Sequence, residues 1–195
     1  MITGHFGIAS LARSTSRART SSALLVAFAL ASIAPDIVDI GYYVVGICSP
    51  YGLYSHTIPA VVLEAAIIAG AAWLITHSRG TALALGIVVL LHLPADFITG
   101  HKLLMPGGEM AGLYLYDRPF IDFLTEVPIA ALGWWALRKR ATAPQWATSF
   151  WILALVVGTQ TAFDAAGAVS GKGVKPNACF PRSITQKLPR LAARP

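Results

Sequence analysis

The chain is expected to fold as an all-α, polytopic transmembrane helix bundle with about five spans and a short N-terminal helix. Three observations predict this. Of its 195 residues 55% are hydrophobic and only 12% are charged, and the mean hydropathy is +0.62. A soluble domain carries about twice that share of charge. The apolar residues run in long continuous stretches, each near the ~20 residues that cross a bilayer core. The basic residues sit between those stretches, in short loops and a tail, which is the positive-inside habit of membrane proteins. Lipid admits only helices or closed barrels, and the stretches are too long and continuous for barrel strands.

The elements follow in order. Residues 2–12 are apolar but too short to span, and Arg13, Arg17 and Arg19 follow them. A secretory signal carries its basic cluster ahead of the apolar run, so this segment reads as a short helix instead. The first long stretch runs from about Ser22 to Gly46 and is interrupted by Pro35, Asp36 and Asp39. The second covers His56–Thr76 and the third Thr81–Thr99, with Pro94 expected to kink the third. A glycine-rich loop leads to a fourth stretch, Phe120–Leu137, closed by Arg138-Lys139-Arg140, and a fifth runs from about Trp146 to Val169. Residues 1–169 form one helical domain with a polar end. Residues 170–195 are basic, proline-bearing and without apolar periodicity, which reads as a disordered tail.

Alternating the five stretches puts Arg13, Arg17, Arg19, Arg79 and Arg138–Arg140 at one face, against Lys102 and Arg118 among the short loops of the other. The first face is therefore the cytoplasmic one. Trp134, Trp135, Trp146 and Trp151 cluster near it as an aromatic belt. Depth along the helices then sorts the acids. At about 1.5 Å per residue, Asp36 and Asp39 lie roughly 20–26 Å from the basic face, and His92 and Asp96 about 17–23 Å. All nine carboxylates belong to the opposite half, with His56, His92 and His101. A charge at membrane depth costs several kcal/mol without a partner. Asp36 and Asp39 are three apart and His92 and Asp96 four apart, so each pair shares a helical face. A divalent cation between two such faces offsets the cost. Imidazole and carboxylate together suit zinc, with manganese a second choice. The two cysteines, Cys48 and Cys179, offer neither a disulfide framework nor a metal knuckle. The net charge of +6 comes from loops and tail rather than a basic face, which argues against nucleic acid. The glycine-rich loop lacks GxxxxGK[ST], so it is no phosphate loop.

Beyond composition, an ordered set of short motifs runs through residues 4–137. It comprises Gly4-His5, Pro35-Asp36-Ile-Val-Asp39, Tyr54-Ser55-His56, His92-Leu-Pro-Ala-Asp96, His101, Pro106-Gly107-Gly108, Gly112-Leu-Tyr-Leu-Tyr116 and Glu126. This set resembles the bacterial inner-membrane, metal-dependent hydrolase family (the DUF457-like proteins). Ile40 stands where some members carry a histidine, which removes one ligand. The resemblance implies an inner-membrane location with the site toward the extracytoplasmic side, and a divalent metal held by His5, Asp36, Asp39, His56, His92 and Asp96. Glu126 is then a ligand or the general base, with Asp39 the other candidate base. His101 and Lys102 would steady an anionic group, and the amides of Gly107 and Gly108 would add donors. The implied reaction is hydrolysis of an ester or phosphoester, in a lipid or near the membrane surface.

Two other classes stay open. Intramembrane acids also build ion and proton pathways, although here they stop at one end and no internal repeat accompanies them. A polar cluster also serves a non-catalytic scaffold. Glu64 and Asp164 read as packing or pathway residues, and Glu109, Asp117 and Asp122 as solvated.

Overall fold

A computed structural model describes residues 3–15, 21–47 and 52–170. The tail beyond Ser170 and both cysteines lie outside these residues. The fold is all-α apart from one small hairpin. In chain order the helices are α1 (Thr3–Thr15), α2 (Ser22–Ser32), α3 (Ala34–Val44), α4 (Ile58–Thr76), α5 (Arg79–Leu90) and α6 (His92–Thr99). The hairpin strands β1 (Lys102–Leu103) and β2 (Met110–Ala111) and a 3₁₀ turn at Leu115–Asp117 come next. Helices α7 (Pro119–Arg138) and α8 (Phe150–Ser170) complete the chain.

By length and composition, three helical stretches can cross a membrane: α4, the Arg79–Thr99 stretch that holds α5 and α6, and α7. The pair α2 and α3 passes the same test together, bent by 63°, which raises the number to four. The apolar part of α8, Phe150–Ala166, is shorter. The outward faces of these helices are greasy. Leu63, Ile67, Leu74 and Ile75 on α4 and Trp151 and Leu155 on α8 are all exposed. A surface of that extent suits contact with lipid better than with water.

Both expected proline effects appear. Pro35 has no N–H and crowds the preceding turn, and the first long stretch breaks at Ile33 between α2 and α3. Pro94 lies just after a second break, at Leu91, between α5 and α6. Both breaks fall at the level of the acids, where freed carbonyls and short helices can turn side chains inward.

The short N-terminal helix expected from the sequence forms, and it is packed into the bundle. Helix α1 runs parallel to α7 in close contact. A methyl group at Gly133 would overlap the Gly7 carbonyl, and one at Gly7 would lie 2.5 Å from the Ile129 carbonyl oxygen. Small residues at this crossing let two backbones approach closely, as in many membrane bundles. Ala9, Phe28, Val61, Ala65, Leu85, Val88 and Val89 build the core that joins α1, α2, α4 and α5.

The ends of the bundle differ. At one end the Arg138 guanidinium lies 4.3 Å from the centre of the Phe150 ring and 5.1 Å from that of Trp134, and Lys139 lies 3.5 Å from Trp135. There Trp146 Nε1 donates to Ser22 Oγ and Trp134 Nε1 to the Ser149 carbonyl. At the other end start α1 and α7 and lies the hairpin. The hairpin is tied to α4 by Ile58 N–H to the Leu104 carbonyl, and to α6 by Leu113 N–H to the Phe97 carbonyl.

Candidate metal centre

Three elements converge at the hairpin end. Helix α3 brings Asp36, the turn before α4 brings His56, and α6 brings His92 and Asp96 on one face. Each of these four offers a ligand atom within 4.8 Å of the others. His56 Nε2 lies 3.1 Å from Asp36 Oδ1 and 3.4 Å from Asp96 Oδ2. His92 Nε2 lies 3.3 Å from Asp96 Oδ2 and 3.9 Å from Asp36 Oδ1. His56, His92 and Asp96 are buried, whereas the Asp36 side chain is 37% exposed and marks the open side of the centre.

The hydrogen bonds behind the histidines decide which nitrogen faces inward. His92 Nδ1 lies 2.9 Å from the Ser32 carbonyl at the α2–α3 break. A carbonyl only accepts, so Nδ1 carries the proton and Nε2 presents its lone pair. His56 Nδ1 lies 2.7 Å from Ser55 Oγ, which in turn lies 3.0 Å from Asp39 Oδ1. The carboxylate takes the single hydroxyl proton, so the hydroxyl oxygen accepts from His56 Nδ1–H. Again Nε2 is left bare. Outer-sphere partners of this kind orient histidines at metal sites. Two bare nitrogens against two carboxylates are poorly arranged by themselves, and a cation among them resolves the mismatch. The donor set fits a divalent ion of the zinc or manganese type.

His5 adds a fifth donor. Its ring stacks on that of His92 with centroids 4.1 Å apart, and its Nε2 lies 3.9 Å from Asp96 Oδ1. It is 1% exposed, and neither ring nitrogen has a hydrogen-bond partner among the described residues. An orphaned buried polar group costs about 1–3 kcal/mol. A ligand role for His5 removes that cost.

The remaining expected site residues fall elsewhere. Asp39 is an outer partner acting through Ser55 rather than a member of the four-residue group. Glu126 Oε2 accepts from Thr3 N–H at 3.0 Å, Thr3 Oγ1 at 3.0 Å and Gly4 N–H at 3.2 Å. It therefore anchors the first turn of α1, where backbone donors favour an anion. Lys102 on β1 reaches inward, its Nζ 3.3 Å from Asp96 Oδ2. His101 instead stacks on Tyr114, with centroids 4.3 Å apart. Burial holds its imidazole below the ordinary range, Asp117 opposes that and Lys102 adds to it. His101 can thus meet an anion as a neutral N–H donor. Gly107 and Gly108 sit at the exposed hairpin tip. The Gly108 amide already donates to the Met105 carbonyl at 2.9 Å, so it is spent within the turn.

The acids form two groups rather than one. Asp122, expected to be solvated, is 0% exposed. Gln160 Nε2 donates to Asp122 Oδ2 at 3.2 Å and to Asp164 at 3.1 Å, while Thr3 Oγ1 lies 2.8 Å from Gln160 Oε1. Helix α1 links this group to the metal centre. Glu64, expected to be a packing or pathway residue, has both carboxylate oxygens shielded and without a hydrogen-bond partner among the described residues, and His92 and Asp36 are titratable neighbours. Its residue type was visible in the sequence, but its direction was not.

Comparison with models of protein families, with curated proteins and with solved structures finds no match. The class of protein defined here rests on the chain itself: an all-α bundle with apolar helices able to cross a membrane, holding a buried His/Asp group that could bind a metal ion.

Proposed function

We propose that this chain is a membrane-embedded, metal-dependent hydrolase of the bacterial inner membrane, crossing the bilayer about five times. In this reading it acts on an ester or phosphoester, lipid-linked or near the membrane surface, and belongs with the metal-dependent hydrolases its motifs resemble. The supporting observation is the pair of histidines whose Nδ1 atoms are engaged from behind, so that both Nε2 atoms meet Asp36 and Asp96 bare. His5, Asp36, His56, His92 and Asp96 would hold the ion, zinc before manganese. A bound ion of this kind brings the pKa of its water toward neutrality and polarises a phosphoryl or acyl oxygen. Asp39, joined through Ser55 to His56 Nδ1, would steady that ligand from behind, and Glu126 would set the depth of His5 by fixing the start of α1. Substrate enters on the open Asp36 side, beneath the hairpin.

Elemental analysis of detergent-purified protein tests the reading. The wild type should carry close to one equivalent of zinc or manganese, whereas His92→Ala and Asp96→Ala should carry almost none while still inserting in the membrane. Metal at wild-type occupancy in both variants would sink it. The Asp122, Glu126 and Asp164 group favours a second reading, proton or ion movement. Liposome flux abolished by Asp122→Asn, in protein that purifies metal-free, would favour that alternative.

A further inference from the structure

We infer that Lys102 is a built-in competitor for the metal centre, an ammonium that the incoming ion must displace from Asp96. The inference rests on the metal-centre reading above. Three nitrogens gather on a single oxygen, Asp96 Oδ2: His92 Nε2 at 3.3 Å, His56 Nε2 at 3.4 Å and Lys102 Nζ at 3.3 Å. The two imidazole nitrogens are lone-pair donors, so of these three only the ammonium brings a positive charge to this ligand oxygen. Its three N–H groups can serve the carboxylate and an imidazole lone pair together. A divalent ion held by the same atoms would sit within a few ångströms of this positive charge, and at that spacing like charges repel strongly in a site shielded from water. Ion and ammonium therefore exclude one another.

The hairpin fixes how the exchange proceeds. Main-chain bonds from Ile58 to Leu104, and from Leu113 and Tyr114 to Phe97 and Gly100, clamp the backbone on both sides of Lys102. The side chain is 26% exposed, and its four-carbon stem can swing outward without moving the strand. Displacement thus turns an internal counter-ion into a cation facing the mouth of the centre. It also explains how two carboxylates and bare imidazoles stay ordered before an ion arrives. The lysine holds the ligand geometry and lowers the apparent affinity for the metal in return.

The test is zinc affinity, measured by competition with a chelator on full-length protein in detergent, for wild type, Lys102→Met and Lys102→Arg. Lys102→Met should bind zinc about tenfold more tightly, and Lys102→Arg, which keeps the charge, should stay near the wild type. In parallel, acylation of lysine amines followed by mass spectrometry should show Lys102 reacting faster once zinc is added, with Lys139 as an unchanging internal reference. Equal or weaker zinc binding by Lys102→Met, or Lys102 labelling that zinc leaves unaltered or slows, overturns the competitor role alone. Failure of the wild type to bind zinc at all overturns the metal-centre reading with it.

Discussion

At the scale of single residues, the proposed metal centre depends on protons placed several bonds from where its ion would bind. Ser55 is the clearest case. It is 0% exposed and sits between Asp39 and His56 Nδ1, so its hydroxyl fixes both the ring angle and the tautomer of His56. Loss of such an outer partner typically lowers metal affinity 10–100-fold. Ser55→Ala should therefore weaken zinc binding by about that factor, read by chelator competition, while leaving all five proposed ligands in place. Unchanged affinity would mean that His56 is held by its backbone turn alone. The ligand types were legible in the sequence because His92 and Asp96 lie four apart and Asp36 follows a helix-breaking proline. The division of labour between Asp36 and Asp39 was not. Their three-residue spacing places both on one face, and only the position of Ser55 on another element separates the ligand from its outer partner.

Among the elements, α1 was the hardest to read and matters most to the site. Thirteen residues are too few to cross a membrane, and amphipathic pattern says nothing about depth. The depth is set by two features far apart in sequence. One is the Glu126 carboxylate that receives the first N–H groups of α1. The other is the Gly7–Gly133 crossing, where neither helix has room for a side chain. A Gly133→Val substitution should push α1 off α7. We expect it to destabilise the bundle by about 1–3 kcal/mol, the usual cost of overpacking. It should also weaken zinc binding, because His5 rides on α1. Gly158→Val on α8, where an added Cβ meets nothing within 4 Å, is the matched control and should change neither quantity. Thermal unfolding in detergent and chelator competition report the two effects separately. A Gly133→Val protein that is destabilised yet keeps full zinc affinity would remove His5 from the ligand set. The breaks at Ile33 and Leu91 were legible in advance, since Pro35 and Pro94 act locally. The hairpin was hidden inside a glycine-rich loop because two-residue strands leave no alternation to find.

For the whole molecule, the governing fact is polarity along the bundle axis. Tryptophans and the Arg138–Arg140 cluster gather at one end, and the carboxylates, His5, His56, His92, His101 and the hairpin at the other. The greasy outward surface of the helices between them has no aqueous use, and an ion site at one end is compatible with a bilayer only if that end reaches the interface. In the proposed membrane-spanning arrangement the two ends face opposite compartments, with the basic end expected to be cytoplasmic. Single cysteines test this in intact cells and in spheroplasts, after Cys48 and Cys179 are replaced by serine. Gly107→Cys at the hairpin tip should react with a membrane-impermeant thiol reagent added from outside. Lys139→Cys should stay protected until the membrane is broken. The reverse pattern would keep the bundle and place the metal centre on the cytoplasmic side. Labelling of both positions from one side would mean that the helices do not carry the chain across, and the separation of charges along the axis would need an explanation other than a bilayer.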